Sequence, residues 1–318
     1  MRKSLILVFL IVALVVVPAM VSAQALLSLG KGGDSKFFVT GGWVYSFNTR
    51  YSIDEGNGIT FAERTGDWAY DYNAFQIGLG LPVKLGDEGQ YGAFVLGGTL
   101  AIPSSHQGEE IFTNAGAPPT TLHARKWSAD TYYATLEGIW AYPIYGTWSA
   151  LGGFRWVYWQ TSFKNPYDVV GGSLAGDEAD VTVNAYLPIF GIMTSMRGLT
   201  VGAVGFPTTI GRVEHKESFV GNAARIKAAG DFDGGYFAEI FMEYGVPAYD
   251  LPGLSAALSV FGKVSFLRTT SNVKLSNVGL GLSQDYDFAL QRNLMVLGAK
   301  ATFDFDLPSW PSSRILFY

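Results

Sequence analysis

The stretch WSALGGFRWVYWQTSF, residues 148–163, decides the fold because its residues alternate between two different faces. Such a period of two residues is that of a β-strand. One face is apolar, with aromatic residues near both ends and small residues between them, whereas the other mixes bulky and polar groups and carries an arginine. The stretch therefore predicts a strand whose two sides meet different surroundings. The first face consists of Trp148, Ala150, Gly152, Phe154, Trp156 and Tyr158, and the second of Ser149, Leu151, Gly153, Arg155, Val157, Trp159 and Thr161.

The start of the chain has the pattern of an export signal. Arg2 and Lys3 precede the apolar run 5–17, and a small-residue site ending at Ala23 follows. This order predicts a secretory signal peptide over residues 1–23. The alternative, a transmembrane helix, is disfavoured because the run is shorter than the ~20 residues that a span needs.

The composition of the remaining chain excludes several classes of protein. Without the two basic residues of the leader, 20 Lys and Arg stand against 27 Asp and Glu, a net charge of 20 − 27 = −7. Nucleic acid is excluded as a partner because its footprint is a basic patch. The chain has no cysteine, so a small disulfide-stapled domain is excluded as well. Only 15% of the residues are charged, against the ~25% of soluble domains.

Ten segments alternate in this way, each bounded by turn or loop residues. In the second segment the aromatic residues of WAYDY occupy even-numbered positions, whereas the large apolar residues that follow occupy odd-numbered ones. A β-bulge near Asn73 and Ala74 is predicted, because one extra residue there would bring both sets onto a single face. The segments predict about ten strands, with eight to twelve allowed. They are residues 37–51, 67–83, 91–102, 127–142, 148–163, 180–194, 198–213, 232–246, 254–268 and 285–306.

The connections between the segments alternate in length without exception. Short ones read LGDEGQ, PIYGT, SMR and PAYDLPG, and they should all lie at one end of the sheet together with both termini. Outer-membrane barrels have short periplasmic turns and longer extracellular loops. A soluble β-sandwich, the rival fold, has no reason to sort its loops. The long connections are residues 52–66, 103–126, 164–179, 214–231 and 269–284.

Aromatic residues on the apolar face are spaced like the two edges of a membrane. Trp148 and Tyr158 are ten residues apart, and so are Tyr132 and Tyr142 on the preceding strand. Ten tilted residues rise about 25 Å, the height of the apolar band of a membrane barrel. Tryptophan and tyrosine favour membrane–water interfaces. The interface residues predicted here are Tyr132, Trp140, Tyr142, Trp148, Trp156 and Tyr158.

On this pattern the chain resembles the outer-membrane β-barrel (porin-like) superfamily of Gram-negative bacteria, without a motif that identifies a specific family. The resemblance implies an all-β fold, a transmembrane antiparallel up-and-down β-barrel, in the bacterial outer membrane. It implies one barrel domain over residues 24–318, with a periplasmic lead-in at 24–36 and a tail at 307–318. Its implied partners are outer-membrane lipid, small solutes, and the assembly machinery, which reads a final aromatic residue such as Tyr318.

Charged residues fall on the face that should line the lumen. Folding the hairpin around PIYGT places Thr135 roughly opposite Arg155, with Glu137 one diagonal step away. The hairpin around PAYDLPG repeats the arrangement. Because an unpaired charge in a narrow lumen is costly, we expect these residues to brace the interior; a selectivity filter is the alternative. The predicted lumen network is Glu137, Arg155, Glu239, Glu243, Lys263, Arg292 and Lys300.

The sequence offers little evidence for catalysis. His106, His123 and His215 fall in or beside predicted loops, and a histidine with a carboxylate could act as a general base. However, SSHQGEE and RVEHKES do not match the motifs of outer-membrane proteases, deacylases or phospholipases, and no calcium or nucleotide motif is present. We therefore predict no enzyme, no cofactor and no metal. The candidate partners of these histidines are Glu109, Glu110 and Glu214.

A ten-stranded barrel has a narrow interior, since eight strands just enclose side chains and sixteen leave a channel. The predicted function is accordingly that of a structural or surface-exposed outer-membrane protein with a largely filled lumen. The alternatives are a porin-like diffusion channel for small solutes and a membrane-embedded hydrolase with a histidine at its rim.

Overall fold

The chain folds into one closed, antiparallel sheet in the computed structural model. The predicted signal peptide at 1–23, the tail at 307–318 and nearly all of the predicted lead-in at 24–36 lie outside the described residues, so these assignments stay predictions. The structure describes residues 36–55, 64–85, 90–114, 120–168, 172–173, 177–218, 225–246, 256–277 and 282–304.

Thirteen strand segments occur in the described residues, and they form a ring of ten strands. β2 and β3 lie end to end between β1 and β4, β9 and β10 lie end to end between β8 and β11, and β7 only extends β6. The ring closes where β1 pairs with β13. The strands are β1 (Lys36–Glu55), β2 (Arg64–Tyr70), β3 (Asn73–Lys84), β4 (Ala93–Asn114), β5 (Thr120–Tyr145), β6 (Trp148–Asp168), β7 (Gly172–Ser173), β8 (Glu178–Met196), β9 (Leu199–Phe206), β10 (Ile210–Ser218), β11 (Arg225–Val246), β12 (Ala256–Asn277) and β13 (Leu282–Asp304).

The short turns lie at the same end as the first and last strand residues, which we call the termini end; the opposite end is the loop end. The turn between β8 and β9 has only two residues, Arg197 and Gly198, both with positive φ (49° and 87°). This is the conformation of a type I′ hairpin turn, whose twist matches that of the strands it joins. The connections therefore lie at the predicted ends, but those between the strands are not sorted by length: the loop-end connection at 278–281 has four residues, and the termini-end connection at 247–255 has nine.

The strands run far beyond the length of a membrane span. β5 has 26 residues, whereas a tilted strand crosses a bilayer in about ten. The predicted loops at 103–126 and 269–284 are therefore mostly strand, since β4 ends at Asn114 and β12 at Asn277. The polar composition of these regions indicated loops wrongly, because a strand outside the bilayer can be polar on both faces.

The predicted β-bulge near Asn73 and Ala74 is wrong. Trp68, Tyr70 and Tyr72 are buried in the lumen on the same parity as Ala74, so the segment keeps one phase. The register shift lies instead in β1, between Phe47 and Arg50. There Asn48 has a φ of 55°, and both Asn48 and Arg50 point outward, whereas unbroken alternation from Thr40 and Ser46 along the segment 37–51 predicts them on the lumen face.

Candidate functional site in the barrel lumen

The outward faces of the strands form an apolar belt around the barrel. Side chains such as Trp43, Phe154 and Leu297 are more than half exposed on it. A soluble protein rarely exposes a continuous apolar surface of this extent. The belt is therefore the surface that meets lipid.

The six aromatic residues predicted at the membrane interface all lie on the outward faces. Tyr132, Trp140, Tyr142 and Trp148 are exposed, whereas Trp156 and Tyr158 are partly covered by their neighbours. The indole nitrogen of Trp140 donates to the backbone oxygen of Tyr91 at 2.7 Å. Their role at the interface stays a prediction.

The charged residue pair nearest to the termini end is Glu243 and Lys300. The ammonium of Lys300 lies 2.6 Å from one oxygen of Glu243 and 2.8 Å from the other. It also lies 5.5 Å from the centre of the Phe38 ring. Both side chains are buried, so this pair lies inside the lumen near its periplasmic mouth in the predicted orientation, and it joins β11 to β13, which are two steps apart in the ring.

A second layer, which we call the central network, consists of Glu137, Arg155, Glu239 and Lys263. The Nε of Arg155 donates to Glu137 at 2.7 Å, and its two terminal nitrogens each donate to one oxygen of Glu239 at 3.0 Å. Lys263 lies 3.8 Å from Glu239. All four side chains are at most 5% exposed, so each charge depends on the others for compensation.

The register of this network differs from the predicted one. Glu137 lies directly opposite Arg155, and Thr135 lies opposite Val157. The turn between β5 and β6 consists of residues 146–147 and has a register shift beside it, so the pairing of these two strands differs by two residues from the predicted pairing. Thr135 instead hydrogen-bonds Thr99 at 2.9 Å.

Arg292 lies above the central network, toward the loop end, in a cage of aromatic rings. Its guanidinium carbon is 4.3 Å from the ring centre of Tyr133 and 4.4 Å from that of Trp159, and it donates a hydrogen bond to the hydroxyl of Tyr72. No carboxylate of the described residues forms an ion pair with it. A cation–π contact contributes about 0.5–2 kcal/mol, which offsets only part of the several kcal/mol that an unpaired buried charge costs.

An aromatic layer fills the lumen beyond Arg292. The ring centres of Trp68 and Phe163 are 5.0 Å apart, and those of Trp68 and Trp127 are 5.4 Å apart. The ring of Tyr70 packs against Phe163 and stacks on His106. These side chains are large and nearly all fully buried, so they occupy this part of the lumen.

A cluster of titratable side chains lies on the loop-end side of this layer; we call it the loop-end cluster. His215 lies 3.4 Å from the hydroxyl of Tyr51 through Nδ1 and 3.9 Å from Glu217 through Nε2. Arg125 lies 3.6 Å from Glu217 and 3.7 Å from Glu110. Two carboxylates, a histidine, an arginine and a phenol thus share one buried site.

With Tyr132 at the membrane interface, as predicted, the acidic residues of this cluster lie outside the bilayer. Glu110 on β4 lies opposite Arg125 on β5. Arg125 is seven residues from Tyr132 toward the loop end, and seven residues rise about 18 Å at the usual strand rise and tilt. The pKa of the Glu110 carboxyl is raised to about 8, first by burial and second by the neighbouring Glu217. Arg125 and a hydrogen bond of 2.7 Å from Trp127 act in the opposite direction. Glu110 therefore holds a proton at neutral pH and can act as an acid.

Of the other predicted histidines and carboxylates, His106, Glu109 and Glu214 do not join the loop-end cluster. His106 faces the aromatic layer, 3.4 Å from Thr131, and the side chain of His123 lies outside the described part. Glu109 and Glu214 point outward, where Glu214 forms ion pairs with two lysines. Within the described ranges, no group of three or more His, Asp or Glu side chains is arranged to hold a metal ion.

Sequence reasoning missed Tyr51, Trp68, Arg125 and Glu217 as members of the site. Each lies beyond, or at the edge of, a segment whose alternation was recognised. Every second residue of β10 points inward, and extending this alternation from Val213 through His215 would have identified Glu217. Within the described residues the chain has no helix with the length and hydropathy of a membrane span.

Comparison with known proteins identifies the fold but no specific family. No family model matches the chain, and no curated protein matches it in sequence. The outer-membrane protease OmpT from Escherichia coli is similar in structure, with a TM-score of 0.64 and 11% identity over 84% of this chain and 97% of that chain. The outer membrane protein OprG from Pseudomonas aeruginosa matches at a TM-score of 0.35 and 12% identity, over 87% of this chain and 99% of that chain.

The predicted fold class, the resemblance to outer-membrane β-barrels and the location in the outer membrane are confirmed. The prediction that the chain is not an enzyme is overturned, because a barrel of this same fold is a protease in Escherichia coli. The absence of a recognised motif was not a sufficient ground, since side chains from distant strands can meet in the lumen without a sequence signature.

Proposed function

We propose that this outer-membrane β-barrel protein is a closed, non-conducting barrel that acts at its loop end, on the cell surface. The central network is the observation that carries this proposal. Glu137 on β5 and Lys263 on β12 come from strands five steps apart in the ring of ten, which is diametrically opposite. Arg155 and Glu239 connect them across the lumen. A path for small solutes would have to break this network and pass the aromatic layer.

Recordings in planar lipid bilayers test the closed state. We expect no steady conductance from the wild-type protein. The double variant Arg155→Ala, Lys263→Ala removes the two cations of the central network and leaves Glu137 and Glu239 along the axis. Because the aromatic layer remains, we expect a conductance that favours cations once Trp68→Ala and Phe163→Ala are added to this variant. The matched control exchanges Glu137 with Arg155, which keeps one charge of each sign and should keep the barrel shut. A steady wild-type conductance would contradict the proposal and favour the diffusion channel.

A second candidate function is hydrolysis at the loop-end cluster. The support is specific: His215 and Glu217 lie beside Glu110, whose raised pKa leaves it protonated at neutral pH. A general base and a general acid are thus available in one site outside the bilayer. The similar barrel from Escherichia coli is a protease, so peptides are the substrate class to assay first.

The assay compares two histidine variants on a library of short peptides. His215→Gln should abolish any hydrolysis, while the control His106→Gln changes the other described lumen histidine and should retain it. Equal hydrolysis by both variants, or none by the wild-type protein, would exclude this candidate.

A further inference from the structure

A small cavity lies in the lumen between two arginines. Its volume is about 20 Å³, and both Arg155 and Arg292 line it together with Tyr133 and Ser265. Five apolar side chains, Leu187 and Phe237 among them, complete its wall. A cavity of this size holds one small species, such as a water molecule or a monoatomic ion. It is too small for phosphate or sulfate.

The side chains around the cavity carry an excess of positive charge. Arg155 and Arg292 are the charged residues of its lining, and both are cationic. Arg155 forms ion pairs with Glu137 and Glu239, and Glu239 also lies 3.8 Å from Lys263. Among the described residues, Arg155 and Lys263 have ion pairs and Arg292 has none. Arg292 is therefore a cation in the cavity wall that lacks a negative partner in the described part of the chain.

Hydrogen-bond donors are also in excess at the cavity. The Nε of Arg292 is buried and has no hydrogen-bond partner. Of the five N–H bonds of the Arg155 guanidinium, three are directed to carboxylates, which leaves two. A guanidinium has no acceptor atom, so the two arginines cannot satisfy each other.

We propose that the cavity binds a single halide ion, chloride under natural conditions, between Arg155 and Arg292. A halide supplies the missing negative charge, and it accepts hydrogen bonds from several directions at once. Water would satisfy a donor and leave the charge uncompensated. The aromatic faces of Tyr133 and Trp159 shield Arg292 from the sides but accept nothing from Nε. This site is independent of whether the barrel conducts or catalyses.

Crystals grown in sodium bromide test the site directly. We expect an anomalous difference peak in the cavity, at hydrogen-bonding distance from the guanidinium nitrogens of both arginines. An empty cavity, or one that holds only water in these crystals, would overturn the proposal.

Unfolding in lipid vesicles provides a second measurement in solution. Sodium bromide is compared with sodium gluconate at the same ionic strength, so that general screening is equal in both. A ligand that binds only the folded state raises the folding constant by a factor of 1 + [L]/Kd, about 11-fold at ten times Kd. We expect such a dependence on bromide in the wild-type protein.

Two variants separate the site from other arginines. Arg292→Met removes the uncompensated charge and should abolish the bromide dependence. Arg212→Met changes an exposed arginine on the outer surface, paired with Asp231, and should retain it. Equal bromide dependence in both variants would assign the effect to the surface and refute the cavity site.

Discussion

Replacing Arg155 by methionine should leave Glu137 as the most destabilising group in the barrel. The attraction between the two side chains over 2.7 Å is about 6 kcal/mol at an effective dielectric constant of about 20. Dehydration offsets part of it, and removal of one partner of a buried pair costs about 3–5 kcal/mol. The other oxygen of Glu137 has no hydrogen-bond partner. Glu239, in contrast, retains Lys263 at 3.8 Å.

The prediction is measured as the free energy of unfolding, from urea titrations in lipid vesicles followed by tryptophan fluorescence. Arg155→Met alone should lose about 3–5 kcal/mol. Adding Glu137→Gln should restore most of this loss, because the orphaned charge is gone. Adding Glu239→Gln to Arg155→Met should lower the stability further, because it deprives Lys263 of its partner. If the effects of Arg155→Met and Glu137→Gln simply add, the two residues are not coupled and the bracing role of the network is refuted.

Three further predictions concern the belt, the loop-end cluster and the topology. Leu136→Arg places a charge on the lipid face within the span and should cost about 2–4 kcal/mol, whereas Ile111→Arg, on the outer face beyond the belt, should cost about 1 kcal/mol or less in the same titration. The carboxyl of Glu110 has a pKa of about 8 in the folded state, above its value in the unfolded state. At a pH between these two pKa values, the folded state binds a proton that the unfolded state does not. Stability should therefore fall by about 1 kcal/mol per unit as the pH rises from 5 to 8 and level off above it. Glu110→Gln should abolish this slope, and an unchanged slope in this variant would contradict the assignment. A protease site inserted at 278–281 should be cleaved on intact cells and one at 86–89 protected; the reverse would invert the orientation.

The period of two residues was sufficient to predict the barrel and the side on which most charges lie. It placed Arg155, Glu239 and Lys263 inward because the parity of a strand is a local property. Parity says nothing about which strands face each other across the lumen. The bidentate partner of Arg155 is Glu239, 84 residues away, and no hairpin brings these two strands together.

Aromatic residues were the main source of error in the sequence prediction. Trp68, Tyr70 and Tyr72 suggested a lipid-facing row, and a bulge was needed to reconcile them with the next residues. In the fold they form the inner layer, because a narrow lumen beyond the span is filled by large rings just as a soluble core is. Hydrophobicity alone therefore does not separate lipid-facing from lumen-facing aromatics in this barrel.

The pairing of β1 with β13 also governs how the chain reaches its folded state. Lys36 lies opposite Asp304, so closing the ring joins residues 304 − 36 = 268 positions apart. Contacts of such separation form late, because the entropy of closing the long loop is lost before the strand pairing compensates for it. Until the last strand arrives, β1 presents an unpaired edge, which is a template for aggregation. The chain therefore depends on being kept unfolded until all its strands are available, and ring closure is the step at which a chaperone or a catalyst of assembly would have its largest effect.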